Sequence, residues 1–297
     1  MFDKLQKKWG ISGWRFFWVM VAFGFTGTTT AWISAQITSW LSVEKFSFTW
    51  WSLKIGMLLI GYQVLLLFFG FLFGQFSFFW HYERKILSRM GLLPKIPEPA
   101  RLAVFASGAG SNARKLIEYF NLDKERSKLA HVTMIVCNKP DAGVIKIADE
   151  FDIPVLHLTR AALESGVHNK MFKKRTDWLI LAGFLLKIPP ALVQLFPRKM
   201  VNLHPALLPL HGGKGMYGNR VHEAVIASGA AESGITIHYV DEQYDHGETI
   251  FQATCAITPG ETPETLAKKI HALEHTHYPE VVARLVQNAK NALNTKK

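Results

Sequence analysis

The chain contains 297 residues, which is enough for one large domain or two modest ones. Of its 34 basic and 23 acidic side chains, 10 basic and 4 acidic lie in the first hundred residues. The basic excess in the remainder is not gathered into blocks, so a nucleic-acid partner is not indicated. The two cysteines, Cys137 and Cys255, are too few for a disulfide framework or a metal cluster and are typical of a reducing compartment.

Two long apolar segments occupy the first part of the chain. Residues 14–40 carry one charge, Arg15, and residues 55–80 carry none. Each segment reaches the roughly 20 apolar residues that a helix needs to cross a bilayer. A buried helix of a soluble protein or a signal peptide are the alternatives, but a signal peptide is not followed by a second span. We therefore predict a transmembrane hairpin over residues 1–93. Tryptophans near the segment ends favour this interpretation: Trp14, Trp40, Trp50, Trp51 and Trp80.

Basic residues on the flanks predict the topology of this hairpin. The loop between the segments offers only Lys45 and Lys54, whereas both outer flanks are richer in positive charge. Because positive residues stay on the cytoplasmic side, we expect a two-pass anchor with both ends, and the domain that follows, in the cytoplasm. The flanking residues are Lys4, Lys7, Lys8 and Arg15 before the first segment and Arg84, Lys85, Arg89 and Lys95 after the second.

The end of the second segment and the connection after it carry two further signals. Gly70 and Gly74 form a small-xxx-small pair of the kind that packs helices together. Residues 94–100 read as a stiff proline linker. A separate domain over residues 101–297 is therefore expected.

Strands and helices alternate along residues 101–297. This alternation predicts an α/β domain with a doubly wound, mainly parallel sheet. Residues 234–241 and 249–257 read as paired strands, and residues 262–293 as a helix broken near Pro279. The other expected strands are 101–107, 131–138, 153–158, 177–184 and 199–204, and the other expected helices are 112–120, 141–152, 190–196 and 220–228.

The stretch SGAGSN, residues 107–112, lies between the first strand and the first helix of this domain. Gly108 and Gly110 allow a sharp turn, which leaves free N–H groups at a helix N-terminus where phosphate can bind. The stretch is neither a complete G-x-G-x-x-G nor a Walker A motif. A phosphate cradle and an ordinary glycine turn both remain open.

The stretch NLHP places two polar side chains on one strand. Asn202 and His204 are two residues apart, so they point to the same side, and Pro205 ends the strand and leaves both at its carboxyl edge. Asn can hold a carbonyl oxygen, and His can exchange protons with it or with an amine. Asp245 in YDHGET is a candidate partner that would raise the pKa of His204 and favour the imidazolium. A polar strand end and a turn-forming Asp are the structural alternatives.

His271, Glu274 and His275 spell H-x-x-E-H, the inverted zinc-hydrolase motif. Two histidines four residues apart on a helix face one way, but a third protein ligand is required and none is indicated. Short motifs also recur by accident. We therefore do not expect a metal site.

Together, SGAGSN, DWLILAGFLLKIP, VNLHPALLPLHGGKGMYG, ESGITIHYVDEQYDHGETIFQA and LEHTHYPEVV resemble the phosphoribosylglycinamide formyltransferases of purine synthesis. The likeness covers roughly residues 100–288 and leaves the first hundred residues unassigned. The resemblance implies a Rossmann-like formyltransferase domain that transfers a formyl group from 10-formyltetrahydrofolate to the amine of glycinamide ribonucleotide, without a metal. In that mechanism, Asn202 and a protonated His204 stabilise an oxyanion while Asp245 holds the imidazole.

The resemblance also assigns binding residues. It implies that His238 and Thr236 line the same site from the neighbouring strand. Between His157 and Asp177 the chain is shorter than the family pattern, so the usual folate-binding arginine has no secure match and Arg160 is only a candidate. The implied nucleotide-binding residues are Gly110, Ser111, Asn112, His271 and Glu274; the implied folate-binding residues are Leu185, Leu186, Lys187, Ile188, Asn202, Asp241, Glu242, Gln243 and Tyr244.

Other functions share this fold. Formyltransferases acting on methionyl-tRNA or sugar nucleotides, and a hydrolase of the formyl folate, have the same Asn-x-His and Asp. A tRNA enzyme is expected to carry a further domain, and the hydrolase needs no phosphate loop. A membrane-anchored nucleotide-binding sensor without turnover is the alternative from another class.

Overall fold

A computed structural model describes residues 5–6, 9, 11, 13–93 and 98–294. The chain forms two compact units, Met1–Pro97 and Glu98–Lys297. Lys4, Lys7, Lys8 and Lys95 of the topology argument, and linker residues 94–97, lie outside the described residues.

From Gly13 onward, the described residues of the first unit form helices α1 (Gly13–Trp40), α2 (Phe48–Leu72, with a π-helical segment Met57–Gly61) and α3 (Phe76–Arg89). Helices α1 and α2 are long and apolar enough to cross a membrane. The predicted bounds of the second segment, 55–80, are wrong, because α2 begins at Phe48 and ends at Leu72. Gly74 has a φ of 69°, a conformation that ends a right-handed helix, and a new helix begins two residues later.

Helix α3 packs tightly against the end of α2. A Cβ placed on Gly70 would lie 2.5 Å from Phe79 Cδ2, so only glycine allows this approach. The Phe79 ring also meets Phe23 of α1, with ring centroids 5.2 Å apart. Gly70 therefore packs against α3 of the same chain. Gly74 ends α2 and is not part of a helix-packing surface with Gly70.

Hydroxyl groups of α1 form hydrogen bonds to the helix backbone and to a lysine of α2. Thr26 and Thr30 are buried and donate to carbonyl oxygens four residues earlier. Ser34 Oγ accepts a hydrogen bond from Lys54 Nζ at 2.9 Å, and Lys54 Nζ lies 5.3 Å from the centre of the Trp50 ring. The one charged residue within α2 thus has a partner on α1.

The second unit is built on a seven-stranded sheet in the order β3-β2-β1-β4-β5-β6-β7. The first five strands are parallel to one another, β6 runs antiparallel to β5, and β7 at the edge runs antiparallel to β6. This architecture confirms the predicted α/β class with a mainly parallel sheet. The strands are β1 (Ala100–Phe105), β2 (Ala130–Cys137), β3 (Val155–His157), β4 (Trp178–Leu181), β5 (Met200–His204), β6 (Glu232–Tyr239) and β7 (Thr249–Ala256).

Helices cover both faces of the sheet. Strand β1 alternates between the two cores: Leu102 and Val104 pack on one face, Ala103 and Phe105 on the other, and all four are fully buried. The two short helices α6 and α7 were not anticipated from the sequence. The helices are α4 (Ser111–Ile117, continued by a π-helical turn Glu118–Leu122), α5 (Gly143–Glu150), α6 (Arg160–Glu164), α7 (Asn169–Arg175), α8 (Pro190–Leu195), α9 (Asn219–Ala227) and α10 (Pro263–Asn294).

Helix α10 continues through Pro279, so the predicted break is wrong. Proline removes one backbone donor, but packing on both sides of it keeps the helix in place. Tyr278 is fully buried and its hydroxyl donates to the carbonyl oxygen of Leu181 at 2.8 Å, while Val282 is fully buried in the core. Tertiary contacts therefore outweigh the local effect of proline here. They also attach α10 to the carboxyl end of β4.

The order in which the strands are connected reverses between β1 and β4. From β1 the chain proceeds to β2 and β3 on one side, and from β4 to β5 on the other. Ser107 N–H donates to the carbonyl oxygen of Gly183 at 3.0 Å, which joins the loops that leave these two strands. Crevices at such switch points are the usual ligand sites of open α/β sheets.

Candidate active site

A cleft of about 840 Å³ opens at the carboxyl edge of the sheet. The loops that follow β1, β4 and β5 form it, together with the β6–β7 loop and helices α9 and α10. The residues proposed from the sequence as site residues line this cleft, with the exceptions of Glu242 and Thr236. Glu242 Oε1 instead accepts a hydrogen bond from Gln194 Nε2 at 3.1 Å. Glu242 is therefore removed from the expected folate contacts.

Strand β5 delivers Asn202 and His204 to the cleft, and the β6–β7 loop brings Asp245 to both. Asn202 Nδ2 donates to Asp245 Oδ1 at 3.4 Å, and His204 Nδ1 lies 3.5 Å from Asp245 Oδ2. Asp245 Oδ2 also accepts the Gly213 N–H at 3.0 Å. Burial raises the pKa of Asp245, but hydrogen bonds and the neighbouring histidines lower it by more than burial raises it. The net pKa of Asp245 is therefore below its ordinary value, which favours the ionised carboxylate.

The pKa of His204 lies below its ordinary value, which favours the neutral imidazole, whereas the sequence led us to expect a protonated ring. The side chain is 3% exposed, and burial lowers its pKa more than Asp245 raises it. His204 Nε2 lies 3.0 Å from the carbonyl oxygen of His211, so in the neutral ring the proton sits on Nε2. Nδ1 then has the free lone pair and faces Asp245. The resting site is therefore a base beside a carboxylate.

The neighbouring strand β6 supplies His238 to the same cluster. His238 Nδ1 donates to the carbonyl oxygen of Tyr239 at 2.8 Å, so Nε2 accepts from Asn202 Nδ2 at 3.0 Å. The long 3.4 Å hydrogen bond to Asp245 is the one that Asn202 can most easily exchange for a ligand oxygen.

Thr236 does not line the cleft, although the resemblance implied that it does. Its hydroxyl is fully buried, donates to the carbonyl oxygen of Ala206 at 2.7 Å and accepts the Leu208 N–H at 2.9 Å. Thr236 therefore fixes the turn that follows β5.

A second polar cluster lies where the glycine loop after β1 meets α10. Asn112 Nδ2 and His271 Nδ1 both donate to Glu274 Oε2, at 2.8 and 2.9 Å. Glu274 is 4% exposed, and its hydrogen bond raises the pKa of His271. The Oδ1 atom of Asn112 is buried without a hydrogen-bond partner. This arrangement leaves buried polar capacity for a ligand.

The glycine loop needs glycine at position 110. Gly110 has a φ of 82°, and a Cβ there would lie 2.7 Å from Val144 Cβ. The loop thereby packs directly on α5, whose Val144 N–H donates to the carbonyl oxygen of Gly108 at 3.1 Å.

The H-x-x-E-H residues do not form a metal centre among the described residues. Glu274 is engaged by His271 and Asn112, and His275 Nε2 is buried without a partner. No group of three or more His, Cys, Asp or Glu side chains in the described part of the chain is arranged to hold a metal ion.

Several cleft residues were missed in the sequence. Ser107 Oγ donates to Asn138 Oδ1 at 2.5 Å and accepts the Leu185 N–H at 3.0 Å, so it holds the loop of residues 185–188. His222 is 3% exposed and its Nδ1 has no partner. The glycine-rich run GGKG could have indicated Lys214 as a site residue. No sequence motif indicates Asn138 or His222, which reach the cleft only through the tertiary fold. Lys214, Arg220 and His222 also line the cleft, as does Arg160, the candidate arginine named from the sequence.

The comparison with protein families agrees with this architecture. A model described as "Formyl transferase" matches residues 100–282. The chain belongs to the formyl transferase family. A second model, "Family of unknown function (DUF6787)", matches residues 18–94.

The formyl transferase part of the chain is similar to curated and solved relatives. It is 42% identical over 198 residues to "Phosphoribosylglycinamide formyltransferase, chloroplastic" of Arabidopsis thaliana, covering 64% of this chain and 67% of that protein. It is 35% identical over 192 residues to phosphoribosylglycinamide formyltransferase of Bacillus subtilis, covering 63% and 94%. The structure of phosphoribosylglycinamide formyltransferase from Bacillus halodurans is 34% identical, with a TM-score of 0.57, and covers 64% of this chain and 97% of that one.

Proposed function

We propose that this formyl transferase moves a formyl group from 10-formyltetrahydrofolate to the amine of glycinamide ribonucleotide. The observation that carries the proposal is the meeting of two polar clusters in one cleft. Asn202, His204 and Asp245 form the first, and Asn112 and Glu274 anchor the second. The first can perform the proton transfer, and the second can hold a nucleotide. The names of the relatives support the same reaction.

The cleft wall formed by residues 185–188, 241 and 243–245 fits the folate donor. Ile188 lines the cleft with an apolar side chain that can pack on a flat ring, and Ser107 Oγ accepts the Leu185 N–H and fixes the position of this segment. Lys187 Nζ lies 5.8 Å from the Tyr244 ring centre, and Arg160 lies on the same cleft, so cations face an anionic tail. The donor supplies the formyl group and leaves as tetrahydrofolate, whose nitrogen takes up the proton that the attacking amine has lost.

The residues of the first cluster divide the work of amine attack. His204 Nδ1 accepts a proton from the attacking nitrogen, and the resulting imidazolium lies 3.5 Å from the Asp245 carboxylate, which stabilises it. Asn202 exchanges its long hydrogen bond to Asp245 for one to the formyl oxygen as negative charge develops there. Since Asp245 Oδ2 is also held by the Gly213 N–H, the carboxylate is already oriented before substrate arrives.

The second cluster would hold the nucleotide. We assign the backbone of residues 110–112 to the phosphate, because Gly110 and Ser111 line the cleft at the turn into α4. Glu274 is assigned to the ribose hydroxyls as a buried acceptor, and its contacts with Asn112 and His271 fix its position.

The substitution Glu274→Gln is expected to raise the KM for glycinamide ribonucleotide by about 10-fold or more with a smaller effect on kcat, because an amide is a weaker acceptor than a carboxylate. Steady-state kinetics with the nucleotide varied would measure this. Glu280→Gln, an exposed site on the same helix, is the control. An unchanged KM in Glu274→Gln would remove Glu274 from the nucleotide site.

The direct test of the reaction is a formyl-transfer assay of the full chain with both substrates. Formylated nucleotide is the expected product. Formate release without an acceptor would indicate a hydrolase instead, and nucleotide binding without turnover would indicate a sensor.

We further infer that the first unit is a two-pass membrane anchor. Helix α2 exposes large apolar side chains along its middle, where Leu58, Leu59 and Ile60 are 60%, 63% and 71% exposed. Lipid would cover that surface. The exposed basic residues Arg84, Lys85 and Arg89 support a cytoplasmic location for the domain that follows, because positive residues stay on that side. The full chain should remain in the membrane pellet after alkaline carbonate extraction, and release into the supernatant would contradict the anchor.

A further inference from the structure

Helix α3 is attached to one end of the apolar helix pair. Phe79 fills the space above Gly70, close to the end of α2, and Phe78 packs on Trp9 with ring centroids 5.6 Å apart. Just before α3, Gln75 Oε1 accepts a hydrogen bond from Arg15 Nε at 3.2 Å, which joins it to the start of α1. These contacts hold α3 at the end of the pair where α1 begins and α2 ends.

The outward face of α3 is basic. The buried positions are Phe78, Phe79, Glu83 and Ser88, so the only carboxylate of the helix is turned inward and is 5% exposed. Every other ionisable group except Tyr82 is basic, and all are exposed: His81, Arg84, Lys85 and Arg89. No acidic side chain of the described residues forms an ion pair with the three strong bases.

Aromatic side chains accompany these charges. Phe76 and Trp80 are 43% and 38% exposed and stack on each other, with ring centroids 6.1 Å apart. Tyr82 is 39% exposed. Exposed aromatic and cationic side chains together are typical of a helix at a membrane–water interface. A basic cluster directly after a membrane span also matches anionic headgroups in charge.

We propose that α3 lies in the membrane interface and that its outward face binds anionic phospholipid headgroups. The occupant is lipid because the basic face is continuous with the two apolar helices and carries exposed aromatic side chains. This proposal rests on the membrane anchoring of the first unit. It extends that anchoring, because a span alone has no preference for lipid charge.

The test uses the full chain with a fluorophore on α3. Ser77 is exposed on the same face as Arg84, and Ser77→Cys in a background of Cys137→Ala and Cys255→Ala accepts one environment-sensitive label. The labelled protein is reconstituted in vesicles of phosphatidylcholine alone or with about one-third phosphatidylglycerol, a mixture that gives the surface a negative potential. Quenching by lipids that carry a quencher near the headgroup reports how closely α3 approaches the interface.

Stronger quenching is expected in the anionic vesicles, and salt should reduce the difference. Combining Arg84→Gln, Lys85→Gln and Arg89→Gln should reduce the dependence on lipid charge at least about threefold, in line with counterion screening of surface charges. The matched control combines Lys146→Gln, Lys170→Gln and Lys268→Gln, which replace three exposed lysines of the second unit. These substitutions should leave the dependence of quenching on lipid charge unchanged.

Two outcomes would overturn the proposal: equal quenching in neutral and anionic vesicles, or quenching that the α3 variant leaves intact. Neither outcome is the same as failure of the anchor. If the anchor itself were wrong, the chain would not reconstitute into either vesicle and would be released by carbonate. The labelled background must first show normal formyl transfer, so that a folding defect is recognised before the lipid measurement.

Discussion

Replacing His204 with alanine is expected to lower kcat for formyl transfer by about 10³-fold, because the variant lacks the base that takes the proton from the attacking amine. His204 is buried and faces Asp245 at 3.5 Å, so water cannot easily replace its function in the same geometry. Binding of glycinamide ribonucleotide should change little, because Asn112 and Glu274 are untouched. Rapid-quench kinetics and calorimetric titration of the nucleotide would measure the two quantities separately.

His157→Ala is the control for this experiment. His157 is an exposed histidine at the end of β3 and does not line the cleft, so its removal should leave the rate unchanged. Near-normal turnover in the His204 variant would exclude this residue as the base. A parallel loss of nucleotide affinity would indicate a collapsed cleft instead.

The substitution Asp245→Asn should lower the rate by about 10²-fold and also move the pH profile. The carboxylate raises the pKa of His204, opposing the larger effect of burial. If neutral His204 is the base, kcat/KM rises with pH through the His204 pKa and then levels off. Removing the negative charge lowers that pKa further, so the acid limb of the Asn variant should shift to lower pH while the plateau falls.

The pH profile also tests the protonation state of His204. If a protonated His204 were required, as the sequence had suggested, activity would instead fall as pH rises through its pKa. The profile of the wild-type chain is the reference, and Asp149→Asn, an exposed carboxylate that does not line the cleft, is the matched control. An acid limb that does not move in Asp245→Asn would show that this carboxylate does not act on His204.

Much of the fold was predictable because its signals are local. Short β-rich runs alternating with helical periodicity predicted the parallel sheet, and this was confirmed. The exceptions arose where long-range packing opposes a local rule. Pro279 does not break α10, because Tyr278 and Val282 are buried on either side of it. The second apolar segment ends at Leu72 although apolar residues continue, because the backbone turns at Gly74 and Phe79 packs on Gly70.

The candidate site was predictable in part for the same reason. Strand alternation alone placed Asn202 and His204 on one side of β5. Asn138 and His222 escaped notice because their neighbours in sequence carry no motif. Glu242 and Thr236 were placed in the site by their position in matching motifs, but the direction of each side chain depends on Gln194 and on the turn after β5, respectively.

By itself, the sequence determined which residues are apolar enough to span a membrane, which alternate along strands, and which polar pair stands at the end of β5. These properties depend on side-chain chemistry and on periods of two or 3.6 residues. Only the tertiary structure decided which distant groups meet. It brings Asp245 to Asn202 across 43 residues and Glu274 to Asn112 across 162. It also decided that the pKa of His204 is lowered, because a pKa depends on the balance between burial and neighbouring charge, and that balance exists only after the sheet has folded.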